Sequence, residues 1–232
     1  MNIDINFNVY SDTPKGKDPD SYSPTLRKYH KNLWSKKLPN GSLFNLDETI
    51  TMRLHHKSEL GEFILSSDSI AHTYTKIKST SDIIKNIDTD ELEKFVSLCS
   101  TIGAYIIFPS NRINNQMTIN GARGVNKKIR DRFDLTLECI RRYYAKDSSP
   151  LNDTLERYES FFDLFNDFEG YVNFFLLQDL ITNDYSSIKF FKPFENFENY
   201  PLPNNIEEYK QYKYNLSNFV LARCQRMKGF KK

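Results

Sequence analysis

The sequence predicts an α+β fold, an antiparallel sheet built largely from the N-terminal half and packed against a mostly helical C-terminal half. Three observations lead there. Short β-branched and aromatic runs bounded by turn residues crowd the first 120 positions. From about residue 125 onward the apolar residues recur at helical spacing. At 232 residues, with 18 Phe and 14 Tyr and a formal net charge of only +2, the chain has material for one large core. Residues 1–232 therefore read as a single domain, and a polyelectrolyte that wraps nucleic acid is excluded.

Ile3 to Tyr10 alternates apolar and polar residues and predicts a half-buried strand. Ser11 to Pro24 is turn-rich, with three prolines and a glycine. Ser23 as cap and Pro24 at the first position then predict a helix over about Thr25 to Trp34. Tyr22, Arg27, Tyr29, Lys31 and Trp34 interleave bases with aromatics there, a pattern that suits stacking on nucleic-acid bases or anchoring on a protein partner. An amphipathic helix with Leu26, Tyr29, Leu33 and Trp34 turned inward predicts the same letters.

Thr49 to Lys57 and Glu62 to Ser66 predict two strands divided by a turn. His55 and His56 would point to opposite faces, and with Glu59, Glu62 and His72 they match no zinc-site spacing, so no metal or cofactor is expected. Ser67 or Asp68 is expected to cap a helix through His72, and a further helix runs from Thr89 to about Cys99. Cys99, Cys139 and Cys224 are widely spaced and odd in number, which fits reduced, buried thiols. The N-terminal MNIDINFNVYSD has neither the basic flank nor the apolar run of a signal peptide, and no stretch has membrane-spanning character. The expectation is a cytoplasmic protein without a membrane partner.

The stretch from Phe108 to Tyr144 organises the reading of function. Thr101 to Phe108 predicts a strand and Met117 to Ile119 its antiparallel return, giving a 101–119 hairpin. Asn120-Gly121-Ala122-Arg123-Gly124 would then open a helix over about Val125 to Tyr144, its apolar side formed by Ile129, Phe133, Ile140 and Tyr144. A helix start rich in glycine and arginine suits an anionic small ligand or nucleotide. Arg112, Arg123, Gly124 and Arg130 are the candidate contacts, with Asp134, Glu138 and Arg141 on the same ionic stripe. The competing reading pairs Arg123 and Arg130 with Asp134 and Glu138 in a purely structural network. Neither a P-loop nor a dinucleotide fingerprint is present, and no catalytic residue can be assigned.

Charge is uneven along the chain. From Phe108 to Tyr144 eight basic residues face three acidic ones, and from Asp147 to Glu169 seven acidic residues accompany Arg157 alone, so adjacent segments should pair at their rims. Phenylalanine-dense helices are expected over about Asn152–Phe165 and Phe168–Ile181, and a final helix over Ile206 to about Met227.

The segments SDTPKGKDPDSYSPTLRKYHKNLW, LGEFILSSDSI, IIFPSNRI, MTINGARG, RDRFDLTLECIRRYY and GYVNFFLLQDL together resemble an uncharacterised family of bacterial proteins. The resemblance spans most of the chain. It implies a bacterial or phage source and assigns no chemistry to any residue. Two functional readings stay open: binding of an anionic ligand or nucleotide around residues 120–130, and a non-enzymatic interaction module, of accessory or defence type, using the basic-aromatic 22–37 surface with a protein or nucleic-acid partner.

Overall fold

The computed structural model describes residues 3–229 and has the α+β architecture expected. Its main sheet is antiparallel, built from β3 (Asp47–Glu48), β4 (Leu54–Ser58), β5 (Gly61–Ser69) and β6 (Tyr105–Pro109) in that spatial order. A separate ribbon pairs β1 (Lys36–Lys37) with β2 (Leu43–Phe44) across the Asn40-Gly41 turn, where Gly41 takes a φ of 85°. β4 and β5 form a tight hairpin in which Ser58 pairs with Gly61. β5 is the longest strand and buries its Phe63 and Leu65 side, while β6 is buried throughout.

Ten α-helical segments are found among the described residues. α1 (Pro19–Tyr22) is one turn capped by Asp18, and α2 (Pro24–Trp34) is capped by Ser23, whose Oγ accepts from the Leu26 amide and donates to Asp12. α3 (Lys78–Ile84) and α4 (Thr89–Leu98) precede β6; Asp88 caps α4, one residue before the Thr89 start read from the sequence. α5 (Ile119–Val125) and α6 (Phe133–Ala145) follow it. α7 (Asn152–Glu156), α8 (Glu159–Asp163) and α9 (Phe168–Phe174) carry the phenylalanine-dense segment, and α10 (Ile206–Lys228), capped by Asn205, closes the chain.

The core is aromatic. Phe161, Phe165, Tyr171, Phe174 and Phe175 pack as a continuous set of ring contacts, and Trp34 joins them through Phe174 and Phe175. Such pairs add about 0.5–1.5 kcal/mol each beyond the area they bury. Behind them lies Arg223, fully buried, donating to the carbonyls of Gly103, Tyr105 and Phe175. Cys99, Cys139 and Cys224 are buried and unbridged.

Five local expectations are corrected. Residues 3–10 form no strand; they run through turns into a single 3-10 turn at Val9–Asp12, with the Val9 amide bonded to Ser100 rather than to a sheet edge. The 101–119 hairpin does not form. Ile102–Ala104 is a 3-10 turn, β6 pairs only with β5 among the described residues, and Met117 lies half-exposed ahead of the Thr118 cap of α5. Ser67 and Asp68 belong to β5, because β6 supplies partners as far as Ser69, and no helix passes through His72. The two long helices expected over 152–181 are broken into α7, α8, α9 and a 3-10 turn at Gln178–Leu180, with Asn166 and Leu176 left-handed between pieces.

The single helix expected over 125–144 is two, α5 and α6, separated by a turn in which Arg130 and Asp131 take φ of 51° and 61°. Left-handed non-glycine residues are strained and need support from outside. The support is visible: the Tyr74 hydroxyl donates to the Arg130 carbonyl at 2.9 Å, and Arg123 Nη2 donates to the Asp131 carbonyl at 3.0 Å. The Asn126 side chain accepts from the Lys128 amide and tightens the same turn.

Candidate functional site

Where this turn meets the end of β5, a cleft of about 930 Å³ opens. Its walls are α1 with Asp18 and Asp20, the extended segment from Ala71 to Ile77 that follows β5, and the 124–131 turn with Gly124, Arg130 and Asp131. The first wall is held in place because α1 packs on β5. The second is held by α10, whose Tyr212 and Tyr209 hydroxyls donate to the carbonyls of His72 and Thr73 at 2.7 and 2.8 Å. The volume falls in the range of small-molecule sites.

Asp68 lines the floor from β5, with Arg123 beneath it. Arg123 has no exposed surface; Nη1 donates to Asp68 Oδ2 at 2.5 Å and to the Ser69 carbonyl at 3.0 Å, and Nε donates to Thr136 Oγ1. Burial outweighs the arginine, so the Asp68 carboxyl is pushed up to about 6. Burial, reinforced by Asp68 and Asp18, pushes Asp20 further, to about 8. Hydrogen bonds from the Ser67 side chain and the Ser69 backbone hold part of that rise back. His72, donating from Nε2 to the Ser69 carbonyl, is lowered to about 4 by burial and then by the Arg123 charge.

Chemically, the cleft offers hydrogen-bond acceptors from its carboxyls, a proton-bearing acid at neutral pH in Asp20, and positive charge from Arg130 and Lys76. Raised carboxyls gathered in one concavity are the usual mark of a functional site. Among the described residues no three His, Cys, Asp or Glu side chains are arranged to hold a metal ion.

The residues singled out from sequence fare unequally. Gly124 and Arg130 line the cleft. A Cβ on Gly124 would lie 3.2 Å from Asp131 Oδ2, so the glycine lets that carboxylate approach. Arg123 lies beneath the cleft and is committed to the fold, while the N-terminus of α5, expected to face an anion, is closed by Thr118 Oγ1 accepting from Gly121. Asp134 is elsewhere and buried, held by Arg132 and the Phe191 amide. Glu138 takes Arg141 at 2.8 Å and Arg142 at 2.7 Å. Arg112 is exposed on the loop after β6.

The structural network anticipated between arginines and carboxylates exists with different partners. Arg123 pairs with Asp68, and it is Arg132, not Arg130, that holds Asp134. In the 22–37 segment Tyr22 is exposed and Arg27 and Lys31 are half-buried, but Tyr29 is buried and Trp34 has no exposed surface. The Trp34 indole donates to His30 Nδ1 at 2.9 Å, so neither expected anchor reaches a partner.

Sequence reasoning did not single out Asp20 or Asp131, took Asp68 for a helix cap and weighed His72 only as a metal ligand. The signal it had was indirect: four of the segments that carry the family resemblance, those containing Asp18-Pro19-Asp20, Ser67-Asp68-Ser69, Asn120 to Gly124 and Arg130-Asp131, converge on this one cleft. A family model described as a family of unknown function (DUF6994) matches residues 3–227, and the chain belongs to that family. Neither the curated proteins nor the solved structures contain a match to the chain. Among the described residues no helix is long and apolar enough to cross a membrane.

Proposed function

We propose that the protein binds a small polar ligand of the nucleotide or sugar-phosphate class in the cleft between α1, the 71–77 segment and the 124–131 turn. The observation that carries this reading is the gathering of Asp18, Asp20, Asp68 and Asp131 with Arg130 and Lys76 around one cleft of about 930 Å³. The carboxyl groups of that lining can accept hydrogen bonds from a ligand's hydroxyl or amino groups. Arg130 and Lys76 line the same cleft and suit the anionic end of such a ligand. Arg123 acts one layer below, keeping Asp68 and the left-handed turn in place.

A thermal-shift screen with nucleotides and sugar phosphates tests the reading. A ligand at about a hundred times its dissociation constant adds about 2.7 kcal/mol, or roughly 5–10 °C for a chain of this size. The expected result is a selective shift that Arg130→Ala and Asp20→Ala both diminish while circular dichroism stays native. No shift from either class on the folded wild-type protein would overturn the proposal.

A further inference from the structure

The basic excess of residues 108–144 is not used up by the cleft. Lys127 and Lys128 lie on the outer side of the turn between α5 and α6, and with Arg142 of α6 they line a second depression of about 650 Å³, closed by Ser148 to Pro150 and by Asn196 to Glu198. Three cations and one carboxylate line it, with Glu138 holding Arg142 from outside the lining.

Arg142 is fixed on three sides. Nε donates to Glu138 Oε1 at 2.7 Å, Nη1 donates to the Ser148 carbonyl at 3.3 Å, and the guanidinium lies 5.0 Å from the Phe197 ring centre. A cation held this way is preorganised, so little entropy is lost when an anion adds to its remaining edge. Lys128 already holds a carboxylate, that of Glu198, whose side chain is 77 % exposed and comes from a loop. An exposed internal anion resting on a basic depression marks what the depression attracts.

We infer that this depression is a second site, separate from the cleft, that takes a phosphoryl group, with Lys127, Lys128 and Arg142 as its cationic contacts and Glu198 as an internal competitor. A phosphoryl group carries more charge than the carboxylate it displaces and offers three acceptor oxygens to three donors. The contact is electrostatic and weakens as salt rises.

The probes are inorganic pyrophosphate and a short oligothymidylate, titrated into the whole protein and followed by amide chemical shifts and by calorimetry at low salt. Shifts confined to the amides of residues 126–128, 142, 148–149 and 196–198 are expected, and whichever probe binds tells whether the phosphoryl group comes from a small molecule or a nucleic-acid strand. Lys127→Glu and Lys128→Glu should each weaken binding by roughly tenfold, since each replaces attraction by repulsion. Glu198→Gln should tighten it, by about twofold to fivefold, the measured range for releasing an exposed ion pair. The inference fails if neither probe moves these amides at millimolar concentration, or if Glu198→Gln weakens binding.

Discussion

Replacing Arg123 by methionine probes the arrangement on which both the cleft floor and the 126–132 turn depend. The guanidinium is fully buried and makes four hydrogen bonds, to Asp68, the Ser69 and Asp131 carbonyls and Thr136. Methionine fills similar space but leaves the Asp68 carboxyl, itself 4 % exposed, without its partner. Removing one member of a buried pair costs about 3–5 kcal/mol. That is a large part of the roughly 5–15 kcal/mol available to a folded domain, and it lowers Tm by about 6–20 °C at this chain length. Urea unfolding followed by circular dichroism measures it.

Two further arms isolate the cause. Adding Asp68→Asn to Arg123→Met should restore at least about half of the loss, because the orphaned charge is then gone. The cost of Arg123→Met should also be larger at pH 8 than at pH 5. Asp68 sits above its ordinary pKa even with the arginine present, so without it the folded state binds its proton still more tightly, and stability is lost as pH rises. A loss below about 1 kcal/mol, or a second substitution that recovers nothing, would refute the pairing as the source of order in this corner.

Two predictions concern pH. Because Asp20 is raised to about 8, its folded-state pKa exceeds the unfolded value near 3.8, and its contribution is fully present below about pH 4 and lost as pH rises toward 8. Asp20→Asn should therefore flatten the fall of the urea midpoint between pH 6 and 8. His30, fully buried between Trp34 and Ser67 and lowered to about 3 by burial and then by Arg223, acts in the opposite sense. Its stability is lost as pH falls from about 6.5, so His30→Gln should be less stable than wild type at pH 7 by about 1–3 kcal/mol, yet lose less on acidification to pH 5.

Legibility in the sequence followed the locality of the physics. α2 was readable because its cap is the adjacent pair Ser23 and Pro24, and α10 because its apolar face repeats within the helix. β5 was cut short at Ser66 because Ser67-Asp68-Ser69 is helix-cap chemistry by composition. What keeps it a strand is remote: β6 pairs as far as Tyr105, and the polar side chains are satisfied by His30 and Arg123. The break before α6 had no glycine or proline to announce it, since its left-handed residues are held by Tyr74 and by Arg123. The alternation of residues 3–10 was genuine, but a strand needs an edge to pair with, and Val9 bonds instead to Ser100 after α4.

The basic run from Phe108 to Tyr144 shows why a count of charges along a chain differs from a field in space. Arg123 and Arg132 are turned inward and neutralised by Asp68 and Asp134, while Arg141 is held by Glu138. The interior therefore takes two of the eight cations, Glu138 holds Arg142 as well as Arg141, and the carboxylates that the sequence pairs along one helix stripe are answered from several elements. Lys127, Lys128 and Arg142 line the depression beside Phe197, while Arg130 lies in a cleft already lined by Asp18, Asp20 and Asp131. One run of sequence thus supplies a balanced, hydrogen-bonding cleft on one side of the turn and a cationic depression on the other. The left-handed pair Arg130-Asp131 lies at the point of division. That pair interrupts the continuous helix predicted from periodicity, and Tyr74 and Arg123 support it through their hydrogen bonds to its carbonyls.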